Sequence, residues 1–192
     1  MFDALPTGLM GNPNVGYDYL GGRVWAADNG CFNANWNPVK WQAWLDKWKH
    51  NTTDCLFAVV PDVVGDHDAT LALWGMWWPV VKAKGYRAAF VLQNGCTPEA
   101  VPWDECDAVF IGGDDRFKLS PIAHRIAAEA KRLGKWVHMG RVNSLRRLRI
   151  AKDMGCDSVD GTFIAFGPDV NTPRLASWFD AMHREPSLWG AA

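Results

Sequence analysis

The 192-residue sequence lacks the cysteine patterns that mark disulfide frameworks and zinc sites. It contains five cysteines, an odd number, and no two of them are separated by only one or two residues. An odd number argues against a disulfide framework, and the lack of close pairs argues against a zinc site, so the sequence predicts neither, and no metal or other cofactor is expected. Unpaired cysteines are typical of proteins in a reducing compartment.

Long apolar runs and an excess of positive charge are also missing. No segment approaches the roughly 20 apolar residues of a membrane-spanning helix. Residues 1–11 contain no basic segment followed by an apolar run, so no signal peptide is indicated. We therefore expect a cytoplasmic protein without a membrane partner. The formal net charge of −1 predicts no global basic surface, so any contact with DNA would need a local patch.

What the sequence does contain is enough apolar material for one core. Hydrophobic residues make up 48% of the chain, and its length fits one domain over residues 1–192 better than two. Twelve tryptophans are present, concentrated in residues 25–48 and 74–78. Large aromatic side chains most often fill cores, so we expect most of them to be structural.

Short apolar runs alternate with helix-like segments along the whole chain. Because the runs are continuous, they predict strands that are covered on both faces. Cap signals help to place the helices: Ser120 precedes Pro121, either Asn143 or Ser144 opens another helix, and Pro79 is expected to kink or restart the helix that contains it. The predicted strands lie within 23–30, 55–62, 87–95, 107–115, 135–141 and 157–163, with a weaker one at 7–10; the predicted helices are 38–49, 67–84, 120–133, 144–154 and 173–184.

This alternation predicts an α/β fold with a parallel sheet and right-handed crossovers. The periodicity does not separate an open doubly wound sheet from a barrel. Polar residues, however, follow nearly every strand, whereas an open sheet would gather them mainly at one switch point. We therefore favour a compact (β/α) TIM-type barrel, trimmed or incomplete because the chain is shorter than the ~250 residues typical of that fold.

The segments at the strand ends resemble, in order, the motifs of the tRNA-guanine transglycosylase superfamily. "ADNGCFN" is similar to that family's DSGGFQ, "VLQNG" to its VQGG, and "IGG" to its glycine pair. "VVPD" falls where the family has a base-reading aspartate. "HMGRVNSLRRLRIAKDMGCDSVD" is similar to the region that ends at its nucleophile. The chain has no CxCxxC…H zinc motif, so it most resembles the short phage and bacterial enzymes that install 7-deazaguanines in DNA.

The resemblance implies a role for each matching residue. Asp160 would be the nucleophile that attacks C1′ of the nucleotide, and Asp28 the general acid/base. Asp62 would accept hydrogen bonds from the purine N–H groups, while Gln93, Gly112 and Gly113 would contact its carbonyl edge. Independently of the resemblance, Phe32 is a candidate for stacking on the base. The basic cluster that could hold DNA phosphates includes Arg141, Arg146 and Arg149.

The same residues also allow ordinary structural interpretations. Asp157 and Asp28 could be turn residues, Asp62 could cap the next helix, and the arginines could form a solvated helix face. Adjacent acids diverge, so Asp114 and Asp115 are poor evidence for a metal. His67 and His138 have no ligand partners at metal spacing and are expected to be structural.

The sequence therefore predicts a DNA-guanine transglycosylase of the queuine tRNA-ribosyltransferase-like type, acting in the host cytoplasm if phage-encoded. It would exchange guanine in DNA for a free 7-deazaguanine base of the preQ0 type. Its partners would be DNA and that base, with a homo-oligomer or partner subunit also possible. Three alternatives stay open: an N-glycosidase that uses water to excise a base or cleave a nucleoside, a non-catalytic DNA- or base-binding module, and a barrel acting on a small sugar phosphate.

Overall fold

Seven parallel strands form one sheet in which the spatial order equals the chain order. The computed structural model describes residues 7–14, 23–32 and 36–184. Each strand pairs with its neighbours in sequence, from β1 at one edge to β7 at the other. The strands are β1 (Leu9–Gly11), β2 (Trp25–Ala27), β3 (Cys55–Val59), β4 (Ala88–Leu92), β5 (Ala108–Ile111), β6 (Trp136–Met139) and β7 (Ser158–Val159).

The sheet curls into a half-barrel, as contacts across its inner face show. Phe57 lies on β3 and His138 on β6, yet their ring centroids are only 5.1 Å apart. In a flat sheet, three strand spacings would separate them by about 14 Å. The strand order contains no switch point between β1 and β7, which is the feature that defines an open doubly wound sheet. The predicted α/β class with a parallel sheet is confirmed.

Both faces of the central strands are apolar, as their continuous apolar runs predict. Side chains alternate between the faces, so that Ala58 and Val60 belong to the large helix-covered cluster, whereas Phe57 and Val59 belong to a smaller cluster on the concave side. Alanines from β2, β4 and β5 also lie in the concave cluster, and small side chains let the sheet curl without crowding.

Within the described residues six α-helices accompany the strands, and the caps of two of them agree with the sequence signals. The Ser120 hydroxyl accepts a hydrogen bond from the Ala123 N–H, and Ser144 accepts one from Arg147. Gly134 and Gly155 follow two of the helices with φ of 69° and 74°, which is the C-terminal geometry glycine favours. The helices are α1 (Pro38–Trp48), α2 (His67–Ala83), α3 (Asp115–Lys118), α4 (Pro121–Arg132), α5 (Leu145–Asp153) and α6 (Pro168–Arg184).

Three helix predictions need correction. The α2 helix is not restarted at Pro79 but continues through it to Ala83; the adjoining apolar turns pack on the sheet and outweigh the one hydrogen bond that proline removes. The α6 helix begins at Pro168, five residues before the prediction, because proline fits the first helical turn. The short α3 helix, which begins at Asp115, was not predicted.

Tryptophan packing dominates the core between the sheet and the first two helices. Trp25 of β2 and Trp41 of α1 are fully buried, and Trp74 of α2 is nearly so. The ring of Trp25 meets that of Trp44 edge-on at 5.9 Å, a favourable arrangement for aromatic pairs. The structural role expected for these tryptophans is confirmed. Among the described segments, none combines the length and apolarity that a bilayer-spanning helix requires.

Removing the Phe57 side chain should destabilise the fold strongly. The side chain is fully buried on the concave face, so Phe57→Ala should lower the free energy of unfolding by about 3–5 kcal/mol through lost burial and a residual cavity. Denaturant unfolding monitored by circular dichroism measures the change. Phe166→Ala is the matched control, because Phe166 is 76% exposed, and it should shift the same quantity by less than about 0.5 kcal/mol. Equal effects of the two substitutions would contradict the concave core.

Candidate functional site

The polar residues that follow the strands meet at one end of the sheet, where the carboxyl ends of the strands lie, because all seven described strands run in the same direction. We call this carboxyl-terminal end the edge of the sheet. Asn12 and Asp28 come directly after β1 and β2. Asp62 follows β3, and Asp160 follows β7. The carboxylates of Asp62 and Asp160 both act electrostatically on that of Asp28. The three acids that the sequence singled out therefore face a common region.

Asp28 lies in a desolvated position. Burial raises the pKa of its carboxyl above the ordinary value, and the nearby charges of Asp160 and Asp62 act in the same direction. Hydrogen bonds from the Gly30 N–H and the Asn12 side chain oppose this shift; the Asn12 Nδ2 donor is 3.2 Å from Asp28 Oδ2. A carboxyl with a raised pKa keeps its proton to a higher pH than an ordinary carboxyl does.

Asp62 is held by two side-chain amides, one on each carboxylate oxygen. Asn29 donates to Oδ1 at 2.7 Å, and Gln93 donates to Oδ2 at 2.6 Å. The oxygen of the Gln93 amide accepts from the Gly65 N–H at 2.8 Å, which fixes the direction of that amide. Burial raises the pKa of Asp62 above its ordinary value, although the hydrogen bonds from the two amides act in the opposite direction. The alternative that Asp62 caps α2 is wrong, since the cap is Asp66.

Asn29 is a residue whose importance the sequence did not reveal. It is 3% exposed, and its Nδ2 donates both to Asp62 and to the Val60 carbonyl at 2.9 Å. Its Oδ1 accepts from the Cys31 N–H at 2.7 Å. The side chain thus ties the loop after β2 to the end of β3. As an asparagine before glycine, it carried only a turn signal.

Asp160 is held through one of its two carboxylate oxygens. His138 Nε2 lies 3.0 Å from Oδ1, and the Arg141 N–H donates to the same oxygen at 3.3 Å. The Val142 N–H donates to the Asp160 carbonyl at 2.6 Å. The side chain of Asp160 is 28% exposed. His138, expected to be only structural, is therefore part of the site, and the signal that could have revealed it is its inward-facing position on the strand beside Asp160.

A buried lysine lies behind this loop. Lys118 of α3 is 3% exposed, and its Nζ donates to the Gly140 carbonyl at 3.0 Å. Burial and the charge of Arg141 lower its pKa, whereas the charge of Asp160 raises it. Gly140 has no room for a side chain, because a Cβ there would lie 2.7 Å from a ring carbon of Phe110. No sequence signal pointed to Lys118, since the short α3 helix itself was not predicted.

The paired glycines after β5 are required by their protein neighbours. A Cβ on Gly112 would lie 2.8 Å from Val91, and one on Gly113 would lie 2.6 Å from the Asn94 side chain. Gly113 also has a φ of 73°. The Gly112 N–H donates to the Leu92 carbonyl at 3.0 Å. Because the Gly112 N–H already has this acceptor, we no longer assign it to the purine. The contact of Gly113 with the purine stays a prediction.

Phe32 and Arg141 contact each other at the mouth of the site. Phe32 is 60% exposed, and the Arg141 guanidinium lies 4.0 Å from its ring centroid, a cation–π geometry. Arg141 has a φ of 64°, which a non-glycine residue adopts only where its surroundings enforce it. One face of Phe32 is thus covered by Arg141, and stacking of a base on the ring stays a prediction.

The other predicted basic residues lie on the exposed side of α5. Arg146 and Arg149 are exposed. Arg147 forms an ion pair with Asp115 and donates to the Arg141 carbonyl at 3.3 Å. The contact with Asp115 links α5 to the start of α3. Whether Arg146 and Arg149 bind phosphates remains a prediction.

Asp157 and Asp114, whose roles the sequence left undecided, form structural contacts. Asp157 accepts from the Val137 N–H at 2.8 Å and pairs with Lys131, at the end of the sheet opposite the site. Asp114 caps α3 by accepting from the Phe117 N–H at 2.8 Å. Within residues 7–14, 23–32 and 36–184, no group of three histidines, cysteines or acids is arranged to hold a metal.

The raised pKa of Asp28 makes a prediction about stability and pH. A carboxyl whose pKa is higher in the folded state than in the unfolded state destabilises the fold when it ionises. The free-energy cost is absent below about pH 4, where both states are protonated, and appears as the pH rises. Asp28→Asn removes it and still offers Asn12 an acceptor oxygen, so the variant should be more stable than the wild type at pH 7.

Urea unfolding between pH 4 and pH 8 measures this difference. The stability gained by Asp28→Asn should grow with pH, whereas the exposed Asp104→Asn control should give a nearly constant difference. A constant difference for both variants would contradict the desolvated carboxyl.

No protein-family model matches the chain, and no curated protein matches it. Among solved structures, it is similar to that of the PaMucR phosphodiesterase in a c-di-GMP complex, with 14% identity and a TM-score of 0.42. The similarity covers 73% of this chain and 60% of that one. The chain thus spans about three fifths of the length of that structure.

Proposed function

We propose that the chain is a DNA-guanine transglycosylase, which exchanges guanine in DNA for a 7-deazaguanine base of the preQ0 type. The observation that carries the proposal is the placement of three carboxylates in different environments at one edge of the sheet. Asp28 is desolvated with a raised pKa, Asp62 is fixed by two amides, and Asp160 is partly exposed beside His138. In this proposal the half-barrel is an incomplete (β/α) TIM-type barrel with its active site at the carboxyl ends of the strands.

The first half of the reaction forms a covalent intermediate. A carboxylate oxygen of Asp160 attacks C1′ of the target nucleotide, and the bond between C1′ and N9 of guanine breaks. The electron pair of that bond goes to the purine, which takes up a proton from Asp28. The raised pKa of Asp28 supports this role, because a general acid must be protonated when the reaction begins.

The second half restores the enzyme. N9 of the incoming 7-deazaguanine attacks C1′, the ester bond to Asp160 breaks, and the carboxylate regains its electron pair. The incoming base gives up its N9 proton to Asp28, so protons and charges balance over the cycle. Water must be excluded while the sugar is esterified, since hydrolysis would leave an abasic site.

Asp62 is suited to recognise the purine. Guanine and 7-deazaguanine both present an N1–H and an exocyclic amine, and each needs an acceptor. The Asp62 carboxylate is held by Asn29 and Gln93, yet a carboxylate offers about four lone pairs, so it keeps acceptor capacity for the purine. The second hydrogen of the Gln93 amide and the N–H of Gly113 are the donors that we assign to the purine carbonyl.

Contacts with DNA would come from the loops around this edge. A guanine within a duplex must be flipped out, at a cost of a few kcal/mol, and stacking on Phe32 would offset part of it. Arg141, Arg146 and Arg149 would contact phosphates. The proposal places the protein in the cytoplasm, where DNA and free base are present, and a second subunit could supply further DNA contacts.

Substitution of Asp160 tests the nucleophile. Asp160→Asn keeps the shape of the side chain but cannot form the ester, so the adduct with guanine-containing DNA should disappear from denaturing gels. Incorporation of labelled 7-deazaguanine should fall at least about 10³-fold, as when a nucleophile is removed. Asp157→Asn is the control three residues earlier, at the opposite end of the sheet, and it should retain both.

The same assay separates the alternatives. Abasic sites in place of exchanged base would favour the N-glycosidase, and tight binding without an adduct in the wild type would favour the binding module. Unchanged incorporation by Asp160→Asn would remove Asp160 from its proposed role.

Substitution of Asp62 tests base recognition. Asp62→Asn puts an NH₂ group opposite the donors of Asn29 or Gln93 and removes an acceptor for the purine. The affinity for free 7-deazaguanine, measured by calorimetry, should therefore fall by about tenfold or more, on the scale of one hydrogen bond to a charged group. Asp66→Asn is the control, because asparagine caps helices as well as aspartate. Equal affinities for the two variants would assign recognition elsewhere.

A further inference from the structure

We propose that His138 is a positioning residue that holds Asp160 for attack through a relay formed with Ser158 and Trp136. The inference rests on the proposed function and deepens it, since it identifies what orients the nucleophile. It depends on three consecutive hydrogen bonds between β6 and β7, on the concave side of the sheet.

The relay is continuous over four side chains. Trp136 Nε1 lies 2.8 Å from Ser158 Oγ. The same oxygen lies 2.8 Å from His138 Nδ1, and His138 Nε2 lies 3.0 Å from Asp160 Oδ1. The register that pairs His138 with Ser158 brings these side chains together.

The chemistry of the groups sets the direction of each hydrogen bond. An indole nitrogen can only donate, so Trp136 donates to Ser158. An ionised carboxylate can only accept, so Nε2 of His138 must carry a hydrogen and donate to Asp160. In a neutral imidazole Nδ1 is then an acceptor, and it receives the single hydroxyl hydrogen of Ser158. Protonation of the ring would reverse only the Ser158 contact, and Nε2 would still donate to Asp160.

The imidazole is held in a rigid and almost dry position. Its side chain is 4% exposed. The rings of Phe57 and Phe110 pack against it with centroid distances of 5.1 and 4.6 Å. A ring fixed by packing and by hydrogen bonds at both nitrogens can orient a partner more strictly than a mobile surface group can.

The relay also distinguishes the two oxygens of Asp160. Both His138 Nε2 and the Arg141 N–H contact Oδ1. Oδ1 is therefore the anchored oxygen, and Oδ2 is the one that we assign to the attack on C1′. Holding the carboxylate by a single oxygen fixes the rotation of the group while leaving a nucleophilic atom unengaged.

Two substitutions at position 138 test the relay. His138→Phe keeps an aromatic ring between Phe57 and Phe110 but cannot donate, so formation of the DNA adduct in a single turnover should slow by about 10- to 100-fold, with DNA affinity unchanged. His138→Gln places an N–H near the position of Nε2 and should recover most of the rate. His67→Gln, at another buried histidine, should react like the wild type.

Adduct formation by His138→Phe at the wild-type rate would overturn the proposal, and so would a loss of rate that His138→Gln does not recover while both variants keep the wild-type circular dichroism. A second measurement needs no turnover. Nitrogen NMR of histidine-labelled wild-type protein at pH 8 should show a hydrogen on Nε2 of His138, and a neutral ring with its hydrogen on Nδ1 would overturn the relay.

The two proposals fail in different ways. If the wild type forms no adduct and incorporates no base, the transglycosylase function fails, and the positioning role fails with it, even if the NMR signal shows the hydrogen on Nε2. If the wild type is active but the signal shows the hydrogen on Nδ1, only the relay fails.

Discussion

The site depends on the parallel direction of seven consecutive strands. Because every strand ends at the same edge of the curled sheet, residues as distant in sequence as Asp28 and Asp160 come within electrostatic range of each other. The curl then brings β3 close to β6, which makes the contact between Phe57 and His138 possible. In a flat sheet with the same strand order, β2 and β7 would lie far apart. Asp28 and Asp160 would then each be solvated separately.

Bringing three acids together costs free energy, because carboxylates repel one another and lose hydration. Hydrogen bonds to each carboxylate offset part of this cost. Asp62 is compensated by two amide donors, and Asp160 by His138 and a backbone N–H. Asp28 accepts from the Gly30 N–H and from Asn12, but burial and the nearby charges of Asp160 and Asp62 outweigh these contacts and raise its pKa. A carboxyl that retains its proton beside a carboxylate nucleophile is what the proposed acid catalysis requires.

Much of this arrangement follows from local patterns in the sequence. The continuous apolar runs located all seven strands, and the caps at Ser120 and Ser144 located two helices, because these signals depend on neighbouring residues only. The short α3 helix could not be predicted from a four-residue segment without apolar periodicity. The predicted helix does not restart at Pro79, because tertiary packing of the apolar turns of α2 stabilises a continuous helix.

The side-chain contacts within the site were less predictable than the residues that form it. Asp28, Asp62 and Asp160 carry signals of their own, since acids at strand ends are conspicuous. Asn29, Lys118 and His138 acquire their roles only from partners 20 or more residues away, such as the contact of His138 with Asp160. For Gly112 the sequence predicted a contact that the structure does not offer. Its N–H donates to the Leu92 carbonyl, and nothing in the sequence indicates that hydrogen bond.

The short outermost strand also has a mechanical consequence. β7 consists of two residues and has a paired neighbour on one side only within the described sheet. A side chain next to such a strand is displaced more easily than one next to an interior strand, because fewer hydrogen bonds hold the backbone. In the reaction that we propose, Asp160 would shift by a fraction of an ångström as its bond to the anomeric carbon forms and breaks, whereas Asp28, which follows the fully buried β2, would stay in place.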